Sequence, residues 1–210
     1  MKILLTGCCG FIGFNFVNSL VKTNKKIKIV GIDNLNNYYS VGLKKARLKI
    51  LLKSKNFTFQ KIDLENLKLL NNLFKKNKFD CIFHLAAQAG VRYSIKNPKK
   101  YIDSNIIGFF NIIELARKTN IKKIFYASSS SVYGDSEKFP LSEKTIINPK
   151  NVYGLTKKFN EELAEVYSNY YDINFVGLRF FTVYGEWGRP DMMILKYIEA
   201  SVKNKYFYLH

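Results

Sequence analysis

The run Lys2-Ile3-Leu4-Leu5-Thr6-Gly7-Cys8-Cys9-Gly10-Phe11-Ile12-Gly13 decides the fold. A short apolar run of strand type passes directly into three glycines, and a segment with helical apolar spacing follows. Such a turn uses Gly7 for the tight reversal, Gly10 where backbone must come close to a bound group, and Gly13 where helix packs on strand. The group so admitted is a pyrophosphate, met by the positive helix end at Phe11 and Ile12. Asp33 ends the second strand-type run, 20 residues beyond Gly13, with Asn34 beside it. A carboxylate there accepts hydrogen bonds from adenosine ribose hydroxyls and repels the extra phosphate of NADP. The expectation is an NAD site.

Outward from this turn, strand-type runs lie at Lys2–Thr6, Ile27–Asp33, Phe57–Asp63, Cys81–Ala86, Lys123–Ser128 and Phe175–Phe180. Their nearly continuous apolar character suits a parallel sheet covered on both faces. Helical patterns fall near 11–22, 41–53, 65–76, 98–119, 151–171 and 191–203, with Pro98 suited to a helix start. Alternation of this kind predicts an α/β, doubly wound parallel sheet of Rossmann type with right-handed crossovers. The expected division is a dinucleotide-binding domain over 1–190 and, over 191–210, the beginning of a substrate-binding region.

The net charge of +18 raises the question of nucleic acid. Only five of 34 cationic residues are arginine, and the lysines are scattered along the whole chain, so no basic stripe forms. Base and phosphate recognition leans on arginine, and a nucleic-acid partner is not expected. The charge favours attraction of an anionic small molecule. No apolar run is long enough for a bilayer, so no membrane partner and a cytoplasmic location are expected. Three cysteines and two histidines give no metal-ligand spacing, and no metal is expected.

Tyr153-Gly154-Leu155-Thr156-Lys157 sets a phenol and an ammonium at i and i+4, on one helix face. There the lysine is expected to lower the tyrosine pKa and make a base usable near neutrality. Ser128-Ser129-Ser130-Ser131 follows the fifth strand, and ligands bind at the carboxyl ends of such strands. A serine hydroxyl at that point can polarise a substrate hydroxyl or carbonyl.

These segments, together with Asp33-Asn34-Leu35-Asn36, Asp63-Leu64, His84–Arg92 and Ala127–Gly134, resemble the extended short-chain dehydrogenase/reductases of the nucleotide-sugar epimerase/dehydratase group. The resemblance implies that Asp63 and Leu64 contact adenine and that Ala86, Ala87 and Gln88 line the cofactor groove. It implies that Asn105 supports the active-site backbone, that Ser129 and Tyr153 are catalytic, and that Lys157 also holds the nicotinamide ribose. Ser128, Ser130 and Thr182 would face the sugar nucleotide. Dehydratases of the group carry carboxylates just before Val-Tyr-Gly, whereas this chain has Ser130 and Ser131.

The stretch Arg179–Met192, with Gly90–Ser94, is most similar to the UDP-glucuronate 4-epimerases, with Glu186 where they usually have proline. Arg189 is the candidate for the substrate's carboxylate or pyrophosphate, because guanidinium matches such oxyanions bidentately; Arg92 is a second candidate. The implied reaction is oxidation at C4, rotation of the 4-keto sugar, and reduction on its other face. The implied partner is a UDP-sugar, and homodimers through the helices near 98–119 and 151–171 are usual in the group. Relatives continue beyond His210, so the alternatives are a fragment that binds NAD with little activity alone, or another nucleotide-sugar epimerase or dehydratase.

Overall fold

The computed structural model describes residues 1–136 and 139–206. Six strands, β1 (Lys2–Thr6), β2 (Lys28–Asp33), β3 (Phe57–Lys61), β4 (Cys81–His84), β5 (Lys123–Ser129) and β6 (Asn174–Phe180), form one parallel sheet in the order β3-β2-β1-β4-β5-β6. Successive side chains on a strand point to opposite faces. Leu4, Val30 and Ile32 accordingly join one buried layer with Leu70, Phe74, Phe109 and Ile112, and Ile3, Leu5 and Ile29 join a second with Phe14, Val17, Leu51 and Phe57. Helices α3 (Leu67–Lys76), α6 (Gly108–Lys118) and α7 (Val152–Tyr171) contribute to the first layer, and α1 (Phe11–Thr23) and α2 (Val41–Leu51) to the second. Connections leave β1 toward β2 and β4 toward β5, so the order reverses between β1 and β4. A crevice opens at their carboxyl ends.

Two departures from the sequence reading concern the site. The helix expected over 98–119 is three pieces: α5 (Pro98–Tyr101), a π-helical stretch (Ile102–Ile107) and α6. The wider stretch carries Asn105, whose Oδ1 accepts from the Gln88 amide at 2.7 Å while Nδ2 donates to the Gln88 carbonyl at 3.0 Å. Widening of this type is frequent at functional sites. A short helix, α4 (Val91–Lys96), precedes it where no element was expected. The last helix, α8 (Met193–Val202), falls where expected and buries none of its residues; the chain-end residues 207–210 lie outside the described residues.

Two of the scattered cations, both on α2, are buried. Arg47 is fully buried and donates to Cys9 O (2.9 Å), Tyr39 Oη (2.7 Å), Trp187 O (2.5 Å) and Gly188 O (3.2 Å). Lys44, also buried, donates to Asn36 O at 2.8 Å and Asn36 Oδ1 at 2.7 Å. Both side chains donate mainly to carbonyl oxygens, while Arg47 Nε has no hydrogen-bond partner. Arg47→Met is expected to lower the unfolding free energy by about 2–3 kcal/mol, the cost of orphaning several buried acceptors. Urea denaturation checks this, and an unchanged midpoint would contradict it.

Candidate active site

The crevice is a solvent-open cleft whose space, open solvent at its mouth included, comes to about 1300 Å³. Its first wall is the glycine turn. Gly7 has φ +74°, and a Cβ there would lie within 2.9 Å of the Leu85–Ala86 backbone. At Gly13 a Cβ would sit 2.2 Å from the Gly7 carbonyl oxygen. Only glycine lets α1 and the β4 loop close on the turn this tightly. Gly7, Gly10, Phe11, Ile12 and Gly13 all line the cleft.

Asp33 stands at the end of β2, its carboxylate accepting from Cys9 N at 3.0 Å and Leu35 N at 2.8 Å. Asn34 donates to Asp63 Oδ2 at 3.0 Å, and Asp63 and Leu64 line the same end of the cleft. Across the turn, Ala86, Ala87 and Gln88 form the floor. The Ala86 amide donates to Thr6 Oγ1 at 3.1 Å, and that hydroxyl pairs with His84 Nδ1 at 3.0 Å. Asn105 reaches the floor from behind, through the Gln88 backbone, and also donates to Thr156 Oγ1 at 3.1 Å.

The opposite end is built by α7 against β5. Ser129, Tyr153 and Lys157 meet there in the cleft wall. Lys157 is buried and its Nζ donates to Ala127 O at 2.7 Å. Burial holds its pKa down at about 8, although Glu161 on the next turn pulls upward. For Tyr153 the expectation is corrected. Burial pushes the phenol above its ordinary value, and the groups that counter this are the Ser129 hydroxyl and Arg189, not Lys157, whose ammonium is engaged with Ala127.

The remaining serines divide. Ser128 donates to Glu161 Oε1 at 2.5 Å, so its hydroxyl is turned into the fold although the residue lines the cleft. Ser130 begins a 3-10 turn (Ser130–Val132) capped by Ser129 and is not among the cleft residues. Arg189 lines the cleft with its guanidinium paired to Asp191 (3.0 and 2.5 Å) above the Tyr38 ring. Thr182 is exposed and lines an adjoining, mainly apolar hollow that shares Val183, Arg189 and Met192 with the cleft. Arg92 is exposed on α4 and outside both.

Sequence reasoning missed Tyr38, Tyr39, Lys44 and Ser104 as cleft residues. A usable signal for Lys44 was α2 itself, where cations occupy positions that a surface helix gives to apolar side chains. The cysteines also come together as their spacing did not announce. Cys8 and Cys9 Sγ lie 3.8 Å apart, and with Asp33 they bring ligand atoms within 4.8 Å of one another. Asp33 is committed to two amides and burial pushes the Cys8 thiol well up, so Cys8 enters this contact as a packed, protonated thiol.

His84 makes a pH test of this architecture. Complete burial, with Lys157 nearby, lowers its pKa from 6.5 to about 3. Between those values the unfolded chain binds a proton that the folded chain refuses, so stability falls as pH drops below about 6.5. His84→Asn is expected to flatten this acid slope. Urea midpoints at neutral and mildly acid pH measure it, and parallel slopes for variant and parent would sink the assignment.

Residues 3–209 match the family model described as NAD dependent epimerase/dehydratase family. A Staphylococcus aureus relative named Protein CapI is 50% identical over 98% of this chain and 61% of its own length. UDP-glucuronate 4-epimerase 4 of Arabidopsis thaliana is 43% identical over 98% of this chain and 47% of its own. The Bacillus cereus UDP-glucuronic acid 4-epimerase, solved with UDP-glucuronic acid and NAD, superposes with a TM-score of 0.88 at 35% identity, covering 98% of this chain and 64% of that one. The chain thus spans less than two thirds of the length of these relatives. Among the described residues no helix is long and apolar enough to cross a membrane.

Proposed function

The chain belongs to the NAD dependent epimerase/dehydratase family, and we propose that within it the protein interconverts UDP-glucuronate and UDP-galacturonate at C4. The observation that carries this reading is the continuity of one cleft. It runs from the glycine turn and Asp33 at one end to Ser129, Tyr153, Lys157 and Arg189 at the other. A dinucleotide and a sugar need that juxtaposition.

Gly7, Gly10, Phe11, Ile12 and Gly13 would hold the pyrophosphate, Asp33 and Asn34 the adenosine ribose, and Asp63 and Leu64 the adenine. Ala86, Ala87 and Gln88, braced by Asn105, would support the nicotinamide half. The tight approach at Gly7 and Gly13 supports the fit, since a side chain there would fill the cradle. When bound, NAD supplies the hydride acceptor at C4 and later the hydride donor, so the sugar undergoes no net redox change. Tyr153 would act as phenolate, ionised with the help of the Ser129 hydroxyl and the Arg189 charge that offset its burial, taking the C4 hydroxyl proton and later returning it. Ser129 hydrogen-bonds the same oxygen. Lys157 would hold the nicotinamide ribose.

Substrate selection rests on Arg189, whose planar fork suits a carboxylate and already grips that of Asp191. A fixed carboxylate restrains the β-keto acid from losing carbon dioxide. Thr182, Ser128, Ser130 and Arg92 are the weaker substrate candidates, since their side chains lie aside from the cleft or are spent elsewhere. Ser130 and Ser131 offer no carboxylate, which disfavours dehydration. Residues 1–190 would then carry cofactor and chemistry, and 191–210 open the substrate-binding region of a cytoplasmic enzyme. A second reading, NAD binding with little turnover by these 210 residues alone, is favoured by α8, which buries no side chain at the substrate end.

Tyr153→Phe is expected to abolish conversion of UDP-glucuronate while leaving NAD affinity within a few-fold of the parent. Chromatography of the sugar nucleotides and NAD titration read the two quantities, and turnover retained in the variant would overturn the role of Tyr153. Parent protein that binds NAD and converts no UDP-sugar would select the second reading. A homodimer is proposed through the apolar residues left exposed on the adjoining π-helical stretch, α6 and α7: Ile102, Phe110, Leu155 and Phe159. The double variant Phe110→Glu/Leu155→Glu is expected to sediment as a monomer, and an unchanged sedimentation coefficient would place the interface elsewhere.

A further inference from the structure

Helix α7 grips the end of β5 at three rungs rather than two. Tyr153, Lys157 and Glu161 recur every four residues and so share one face. Opposite them stand three consecutive residues of β5. The Ser129 hydroxyl acts on the Tyr153 phenol, Ala127 O receives the Lys157 ammonium, and the Ser128 hydroxyl donates to Glu161. The first two rungs belong to the chemistry proposed above, and the third has had no role.

Glu161 is held with unusual completeness for a carboxylate. Arg179 of β6 approaches it bidentately, Nε to Oε1 at 2.9 Å and Nη2 to Oε2 at 2.8 Å, while Ser128 takes a further lone pair at 2.5 Å. Arg179 is itself fixed, donating to Tyr133 Oη and Glu143 O, each at 3.1 Å. A charge so immobilised in a poorly solvated place acts strongly on its neighbours. The nearest buried cation along the same face is Lys157, one helical turn back.

We propose that Glu161 is a positioning residue for the reaction: clamped by Arg179 and Ser128, its carboxylate keeps Lys157 charged and fixed against Ala127, beside Tyr153. The other groups around Lys157 do not serve this purpose. His84, facing it from β4, is neutral at working pH. Tyr126 of β5 faces the Glu161–Arg179 pair and is also neutral, because burial pushes its phenol up. Arg189 acts at Tyr153, and its charge has the wrong sign to support a second cation. Glu161 therefore stands alone among these neighbours as the anion that offsets the desolvation of Lys157. The same clamp turns Ser128 away from a ligand and leaves Ser129 as the serine presented to it.

The test uses the full chain labelled with ¹³C at lysine Cε, whose NMR shift reports each ammonium. Lys157 is assigned by its loss in Lys157→Met. In Glu161→Gln the Lys157 titration is expected to move down by roughly one pH unit, whereas Ser128→Ala, which keeps the carboxylate, leaves it within a few tenths. If Glu161→Gln does not fold, Arg179→Gln keeps the carboxylate, removes the cation that offsets it, and is expected to move the Lys157 titration up instead. An unmoved Lys157 titration in the folded variant would overturn the proposal and leave Glu161 a brace only. The activity arm rests on the epimerase reading: the alkaline limb of kcat/KM for UDP-glucuronate is expected to move down by the same amount. Because the NMR arm needs neither cofactor nor substrate, absence of turnover would count against that reading and not against Glu161.

Discussion

Everything in the site depends on how closely backbone packs against backbone where β1 turns into α1. The helix sits so near the turn that one added carbon at Gly13 would overlap the Gly7 carbonyl, and Gly7 in turn lies against the chain leaving β4. This contact sets the depth of the crevice between β1 and β4. It also fixes the direction of α1 and the position of the floor formed by Ala86 to Gln88. Thr6 and His84 then secure that floor by hydrogen bonds a fraction of the strand away. A steric constraint at two glycines is thereby converted into the placement of polar groups along a whole cleft.

The cleft is organised by charge as well as by contact. Three cations, Lys44, Arg47 and Lys157, are buried in a protein whose other basic residues mostly face water. Each meets carbonyl oxygens, which solvate a cation without neutralising it. Arg179 and Arg189, by contrast, meet carboxylates. The first of those pairs lies beside the reacting groups, and the second lies open to the cleft.

The sheet was legible in the sequence because its signals are local and redundant: apolar runs of strand length, glycines at required spacings, and helical apolar spacing between them. Gly7, Asp33, Ser129, Tyr153 and Lys157 could be picked out for the same reason. The π-helical stretch could not, since Ile102–Ile107 has ordinary helical composition and widens only to bring Asn105 to the Gln88 backbone. Arg47 and Lys44 were hidden by the abundance of lysine around them, and their burial is settled by partners more than a hundred residues away or in a neighbouring loop. The orientation of Ser128 was beyond reach as well, because it is decided by Glu161 across a helix–strand contact. Motif reading finds the residues that chemistry needs; it does not find the residues that hold them.

Arg47 has a consequence for how the two ends of the cleft behave as one body. Its guanidinium joins the carbonyl of Cys9, inside the glycine turn, to the carbonyls of Trp187 and Gly188, just ahead of Arg189. A shift of either segment strips acceptors from a donor group that has no water to turn to. The two segments therefore share a single ordering cost. Whatever stiffens the turn at one end has already met part of the entropy demanded at the other, and successive occupants of the cleft would meet a protein progressively better prepared to receive them.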